Sequence, residues 1–313
     1  MTGDRRRILV TGATGCVGRH VLPRLVAHGW DVHAVTSKPT PSASPGVTWH
    51  RADLLDREGT ATLVRAAGPS HLLHLAWYIA PGKWAAAPEN FEWVSASLEL
   101  LRAFRDAGGA RVVTAGSCLE YDWNYGYCSE TRTPCASSTA YGTCKHALQL
   151  LSAAIAHGSG MTSAWGRIFF LYGPHEHPDR LVASVTRSLL AGQPARTSHG
   201  NQVRDYLFAG DVADAFVALL ESQVTGPINI ASGRAIALKD IVLRIGDLIG
   251  RPELIQLGAI PAAPTDTPLV VADTTRLATA LGWTPSTSLD DGLRQTIAWW
   301  RARQAAPPVE AAS

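Results

Sequence analysis

The sequence predicts an α/β fold: a doubly wound parallel sheet with helices on both faces. Three observations carry that expectation. Short apolar runs alternate with helical-period segments through the first half of the chain. The first run breaks into a glycine-rich turn that opens a helix, Thr11-Gly12-Ala13-Thr14-Gly15-Cys16-Val17-Gly18. The chain has 313 residues, 46% apolar and 17% charged, enough for a large core and too hydrophobic for a disordered protein.

The elements follow in order. Arg7 to Val10 is apolar up to the glycine turn and reads as a buried strand. Val17 to His28 places Val17, Val21, Leu22, Leu25 and Val26 at helical spacing, with Gly29 as its stop. Asp31 to Thr36 is a second strand; the Pro- and Ser-rich stretch Ser37 to Pro45 is a loop. Val47 to His50 is a third strand, Arg57 to Ala67 a helix and His71 to Ala76 a fourth strand. Trp93 to Ala107 is an amphipathic helix, Arg111 to Ala115 a fifth strand, and His146 to Ile155 an apolar-periodic helix opened by Tyr141. In the second half, Arg167 to Leu171 and Ile228 to Ala231 read as strands. Arg180 to Leu190, Gly210 to Ser222 (capped by Asp211), Lys239 to Gly250 and Ser288 to Arg303 read as helices. A Pro/Ala-rich stretch spans Gly258 to Pro268, and 304–313 is expected to be a disordered tail.

Composition sets outer limits. Lys+Arg 28 against Asp+Glu 26 leaves a net charge of +2, too even for a dedicated nucleic-acid binder. The cysteines, Cys16, Cys118, Cys128, Cys135 and Cys144, are odd in number and form no Cys-x-x-Cys pair. Reduced thiols are expected, not a disulfide framework or a zinc site. His175-x-His177 has no third ligand nearby, so no metal is expected. Arg5-Arg6-Arg7 is followed only by Ile8-Leu9-Val10 before Thr11-Gly12, which does not fit a signal peptide. No stretch approaches ~18 apolar residues. A cytoplasmic protein with no membrane partner is the expectation.

The glycine turn contains Gly12-x-x-Gly15-x-x-Gly18 between a strand and a helix. Glycines let the backbone turn tightly and approach a pyrophosphate, whose charge sits at the helix N-terminus. Gly12, Thr14, Gly15, Cys16, Val17 and Gly18 are therefore expected to bind a dinucleotide. A carboxylate after the second strand would hold the adenosine ribose hydroxyls and repel a 2′-phosphate. Here the segment is Val35-Thr36-Ser37-Lys38. Ser37 can donate a hydrogen bond and Lys38 supplies a positive charge, with Arg19 also within reach, so NADP(H) is favoured over NAD(H). The alternative leaves Lys38 solvated, with NAD bound without the usual acid. Asp53-Leu54, after the third strand, is placed to meet the adenine; a helix N-cap is the equal alternative for Asp53.

Tyr141 and Lys145 stand at i and i+4 and share a helix face. An ammonium beside a phenol, with an oxidised nicotinamide, can bring the tyrosine from a pKa of ~10 toward ~7, at about 4 kcal/mol. A phenol so tuned serves a carbinol or carbonyl oxygen as general acid or base. Ser117 follows the fifth strand at the carboxyl edge of the sheet and can hold the same oxygen; a capping role is its alternative.

These residues resemble the extended short-chain dehydrogenase/reductase family, especially its nucleotide-sugar epimerases, dehydratases and ketoreductases. The matching motifs are Gly12-x-x-Gly15-x-x-Gly18, Asp53-Leu54, His74-Leu75-Ala76, Ser117 four before Tyr121, and Tyr141-x-x-x-Lys145. They continue with Arg167 to Pro174, Arg204 to Leu207, Asn229 to Gly233 and Leu281-Gly282-Trp283-x-Pro285, covering Arg7 to Trp300. The resemblance implies a Rossmann domain (1–168 and 205–233) and a smaller C-terminal domain for a nucleoside-diphosphate sugar (169–204 and 234–303). It implies Tyr141 as acid/base, Lys145 on the nicotinamide ribose, Ser117 on the carbonyl, and Leu75 and Ala76 beside the cofactor. It also implies Arg204 on the substrate diphosphate, and a homodimer.

Departures from the family pattern narrow the reaction. Dehydratases of the family carry an acid two after the serine, where this chain has Leu119, followed by Glu120; many have Asp where Cys118 stands. Some epimerase-reductases use a Cys at the place of Leu119. Phe170 replaces an Asn before Tyr172-Gly173-Pro174, and Ala263 replaces a second phosphate-binding Arg, with Arg180 a substitute. Tyr78, Cys118, Glu120, Arg180 and Arg204 are expected to line the substrate pocket. Trp77, Trp84 and the aromatic run from Tyr121 to Tyr127 are expected to flank the nicotinamide. The resulting expectation is an NADP(H)-dependent ketoreductase of a nucleoside-diphosphate keto-(deoxy)sugar. A nucleotide-sugar epimerase that retains its cofactor is the alternative, and a non-catalytic NADP sensor a third.

Overall fold

The computed structural model describes residues 6–41, 44–80, 82–262 and 266–305. The loop expectation at residues 42–43, Arg5, Ala263 and the tail beyond 305 lie outside them. A parallel sheet of seven strands forms the centre: β1 (Arg7–Thr11), β2 (Asp31–Thr36), β3 (Val47–Arg51), β4 (His71–His74), β5 (Arg111–Ser117), β6 (Thr162–Ile168) and β7 (Gly226–Ile230). Their order is β7-β6-β5-β4-β1-β2-β3. The chain starts mid-sheet, winds to one edge, then crosses back to β4 and winds to the other. The fold is thus Rossmann-like, with its switch point between β1 and β4, where open α/β sheets bind ligands beyond the strand ends.

Strand alternation divides the core in two. The connecting helices are α1 (Cys16–Ala27), α2 (Arg57–Ala67), α3 (Glu89–Asp106), α4 (Ala140–Ala156), α5 (Leu181–Leu190) and α6 (Ala209–Glu221). Ile8 and Val10, Leu73 and Val113 pack under α1 and α6. Their strand neighbours Leu9, Leu72 and Val112 pack under α2, α3 and α4. Every one of these side chains is 0% exposed, which makes each worth about 1.5–3 kcal/mol. Buried Arg111 donates to the carbonyls of Leu219, Leu220 and Val224, closing the C-terminal end of α6 on the sheet.

The second half, joined by Tyr127–Cys128 from the first, builds a smaller sheet. Its strands lie in the order Ala235–Ala237, Val203–Phe208, Leu269–Ala272 and Tyr127–Cys128, with Phe170–Tyr172 also pairing Val203–Phe208. Helices α5, α7 (Leu238–Ile249) and α9 (Leu289–Ala305) cover it, while α8 (Thr275–Ala280) sits against β7. Asp205 fastens this sheet to the main one, accepting from the Ser232 hydroxyl and the Ser232 and Gly233 N–H groups just past β7.

Three readings change. The expected strand from Arg167 is split at Phe169, whose N–H makes the last bond to β7, at the Ile230 carbonyl, before Phe170–Tyr172 pairs Val203–Phe208 in the smaller sheet. The strands Val203–Phe208 and Leu269–Ala272 were not expected. Asp211 is not a cap: it lies inside α6 and accepts from Ser286 and Thr287, steering the approach to α9.

Candidate active site

The glycine turn forms the floor of the cleft. Gly12 has φ +67°, and a Cβ there would lie 2.7 Å from the Ala76 nitrogen, so the loops after β1 and β4 meet at the switch point. A Cβ on Gly18 would lie 2.3 Å from the Gly12 carbonyl oxygen. Gly15 precedes α1 in extended backbone; no side chain caps that helix and its first turn carries no acid. Such an end leaves N–H groups for an anion. The residues therefore fit a dinucleotide diphosphate.

Two openings meet at Trp49, the first of them beside the turn. One, of about 350 Å³, is lined by Ala13, Thr14, Arg19, Pro45, Trp49 and His175. The other, of about 960 Å³, runs along Ser37, Arg51, Asp53 and Asp56. Ser37 and Lys38 are exposed at the end of β2, and the Lys38 N–H donates to the Thr36 hydroxyl at 3.1 Å. Arg19 instead folds back, its Nε donating to the Thr14 carbonyl. Asp53 accepts from the Leu55 N–H in a tight turn, and Asp56 takes the N-cap position of α2 that had been an alternative for Asp53. Leu54 is buried, while Leu75 and Ala76 are half-buried where the loop after β4 meets the glycine turn.

Ser117, Tyr141 and Lys145 come together at the carboxyl ends of β4 and β5. Thr139 caps α4, accepting from the Gly142 N–H, and the Tyr141 N–H donates to the Ala85 carbonyl. The Tyr141 ring is bracketed edge-on by Trp84 and Trp77, at centroid distances of 4.9 and 6.3 Å. Asn90, fully buried, organises these tryptophans, accepting from the Trp77 indole and donating to the Trp84 and Ala87 carbonyls. Sequence reading missed Asn90; its polar type at the start of an amphipathic helix gave no sign of burial. The Ser117 hydroxyl accepts from the Leu119 N–H at 3.2 Å, so the capping alternative is realised. The same hydroxyl favours the ionised form of the Tyr141 phenol.

The electrostatics differ from expectation. Burial raises the Tyr141 phenol above its ordinary value; the Ser117 hydroxyl works against this, and Glu120 and Cys118 add to it. Lys145 does not bring the phenol down. Its Nζ donates to the Ala115 carbonyl at 2.8 Å and lies 3.9 Å from the Trp77 ring centroid. Burial lowers the Lys145 ammonium itself to about 7, with Glu120 opposing. Tyr141 is thus held as an acid with its proton in place.

Several expected substrate residues lie elsewhere. Glu120 is 0% exposed. Its carboxylate accepts from the Ser117 N–H, the Trp165 indole and Arg167 Nε, the last at 2.7 Å. It stands beneath the site, not in the pocket, because its oxygens are taken by buried partners. Cys118 is buried with Tyr121, Cys128 and Phe169, and burial raises its thiol. Tyr121 donates to Asn229 behind the site instead of flanking the cleft, whereas Tyr125 and Tyr127 are exposed. Arg204 is buried and paired with Asp266, which Gln202 also holds. Tyr78 is half-buried beyond β4. Arg180 is exposed, 5.8 Å from the Trp84 ring centroid, and its charge reaches Tyr141.

A switch-point glycine cradle with a serine, a tyrosine and a lysine at the adjoining strand ends defines a Rossmann-type enzyme of the extended short-chain dehydrogenase/reductase class. The family model described as "NAD dependent epimerase/dehydratase family" matches residues 8–231, and the chain belongs to that family. It is 26% identical over 327 residues to a dTDP-glucose 4,6-dehydratase of Xanthomonas campestris pv. campestris, covering 95% of this chain and 93% of that one. It is 26% identical over 319 residues to a UDP-glucose 4-epimerase of Mycolicibacterium smegmatis, covering 94% and 98%. Among solved structures, the Thermus thermophilus UDP-glucose 4-epimerase complex with NAD superposes with a TM-score of 0.83 at 26% identity, covering 94% and 99%. MoeE5 in complex with UDP-glucose and NAD gives 0.82 at 30% identity, covering 96% and 100%.

Proposed function

We propose that this enzyme acts on a nucleoside-diphosphate sugar by hydride transfer at a sugar carbon, without eliminating water. Its net reaction is reduction of a keto-(deoxy)sugar with NADPH. One observation carries the exclusion of water loss: the acid nearest Ser117 is Glu120, whose carboxylate is locked by Arg167, Trp165 and the Ser117 N–H. The exposed Ser37 and Lys38 at the end of β2, with no carboxylate, support NADP(H) over NAD(H).

When bound, a nicotinamide dinucleotide supplies or accepts the hydride. Gly12, Thr14, Gly15, Cys16, Val17 and Gly18 would hold its diphosphate, Asp53, Leu54, Leu75 and Ala76 its adenosine and central portions, and Lys145 its nicotinamide ribose. Tyr141 protonates the substrate oxygen, and Ser117 positions that oxygen and the phenol. Trp77 and Trp84 keep water from the phenol. On the substrate side, Arg180 and Tyr78 line the entrance. Arg204 would reach a diphosphate only by exchanging Asp266 for it. The division into a dinucleotide domain (1–168, 205–233) and a substrate domain (169–204, 234–303) belongs to the same reading, except that Tyr127–Cys128 and all of Val203–Phe208 join the smaller sheet.

A second reading, an epimerase that retains NAD, is favoured by the epimerase relative whose structure holds NAD. The cofactor state of the purified chain separates the two. An empty site and NADPH consumption with a nucleoside-diphosphate keto-sugar are expected. Firmly retained NAD, with two sugars interconverted and none consumed, would replace reduction by epimerisation.

A further inference from the structure

Glu176 stands in the turn between Tyr172-Gly173-Pro174 and α5, facing the start of α1. It is 6% exposed, and its Oε2 has no hydrogen-bond partner. Three elements surround it. From α1, Cys16 donates its thiol to the Pro174 carbonyl, and the thiol is pushed up to about 12 by burial and then by Glu176. His20 also meets that carbonyl, at 3.1 Å. From the turn into α5 come the Arg180 guanidinium and the Gly173 and Ala183 N–H groups. From the smaller sheet comes the Tyr206 phenol, raised by burial and by Glu176. Arg180 is the one cation among the described residues that opposes the rise in its pKa.

An ionised carboxylate behind Cys16 would put a negative charge beside the helix end that receives the dinucleotide phosphates. A protonated one has a hydrogen to donate. We propose that Glu176 is a positioning residue for the dinucleotide, kept un-ionised at the α1 N-terminus, and that its ionisation drives the anionic cofactor out. This rests on the dinucleotide reading of the glycine cradle. Burial raises Glu176 to about 8, so the loss falls on the alkaline side. Each pH unit above that value should cost about tenfold in affinity while only the protonated form binds. Loss of charge on Lys145 also weakens binding in this range, and an isosteric variant separates the two because Lys145 is unchanged in it.

The test is fluorescence titration of the full chain with NADH and with NADPH from pH 6.5 to 9.5, for wild type and Glu176→Gln, with Glu176→Met as a second neutral variant. Wild type should lose about thirtyfold more affinity than either variant across that range. Profiles that run parallel in wild type and a folded variant would overturn the proposal. Absence of binding by wild type at pH 6.5 would instead overturn the dinucleotide reading and the proposal with it.

Discussion

Tyr141 keeps its proton because its surroundings are dry and partly anionic: Trp77 and Trp84 flank it, and Glu120 lies behind. The Glu120–Arg167 pair, with side chains 0% and 2% exposed, is the buried support of the trio. Removing one partner leaves an uncompensated charge. Glu120→Gln should therefore lose about 3–5 kcal/mol of stability by urea unfolding. Turnover should fall with it, because the Ser117 N–H loses a charged acceptor. A loss under about 1 kcal/mol would show that the pair is not the support described. That Ser117, Tyr141 and Lys145 share one end of the sheet was legible because their spacing and strand-end positions are local. Glu120 was misplaced because sequence shows that an acid is near the serine but not which way it points. Arg167 and Trp165 decide that from a neighbouring strand.

At the scale of elements, β1, β4 and α3 are tied by His74. It is buried, its Nδ1 at 2.7 Å from the Thr11 hydroxyl and its Nε2 at 2.9 Å from the Ser97 hydroxyl. Burial, then the Lys145 charge, lowers it to about 3 from 6.5. Between those values the unfolded chain binds the extra proton, so this contribution is complete above pH 6.5 and is lost as pH falls toward 3. The loss reaches about 5 kcal/mol at the limit. His74→Asn should be less stable at pH 7 but lose less on acidification, by urea unfolding at pH 7, 5 and 4. Equal acid slopes would remove His74 from the account. Strands β1, β2, β4 and β5 were readable as apolar runs because both faces are covered. Val203–Phe208 was not, because buried Arg204 and Asp205 interrupt its apolar pattern and are satisfied largely by residues distant in sequence, Asp266, Ser232, Gly233 and Ala272. The start of α3 was missed for a related reason: Glu89 and buried Asn90 open it with polar residues.

For the whole molecule, none of the described helices is long and apolar enough to cross a membrane. Leu150 and Leu151 on α4 and Phe91 on α3 are instead exposed, at 54%, 41% and 61%. We propose that these faces pair two copies, as the family resemblance implies. Light scattering should then give a dimer, and Leu150→Glu with Leu151→Glu a monomer; a wild-type monomer would contradict the pairing. Dimerisation, like the identity of the sugar, is a property of surfaces that a one-dimensional pattern leaves open. The proposed catalysis is not, since on this reading it converges on the Tyr141 hydroxyl. The most direct measurement compares wild type with Tyr141→Phe on a panel of nucleoside-diphosphate sugars, recording turnover and dinucleotide affinity together. The account predicts a loss of about 10²- to 10⁴-fold in turnover with affinity for the dinucleotide unchanged. Full turnover by the phenylalanine variant would contradict it.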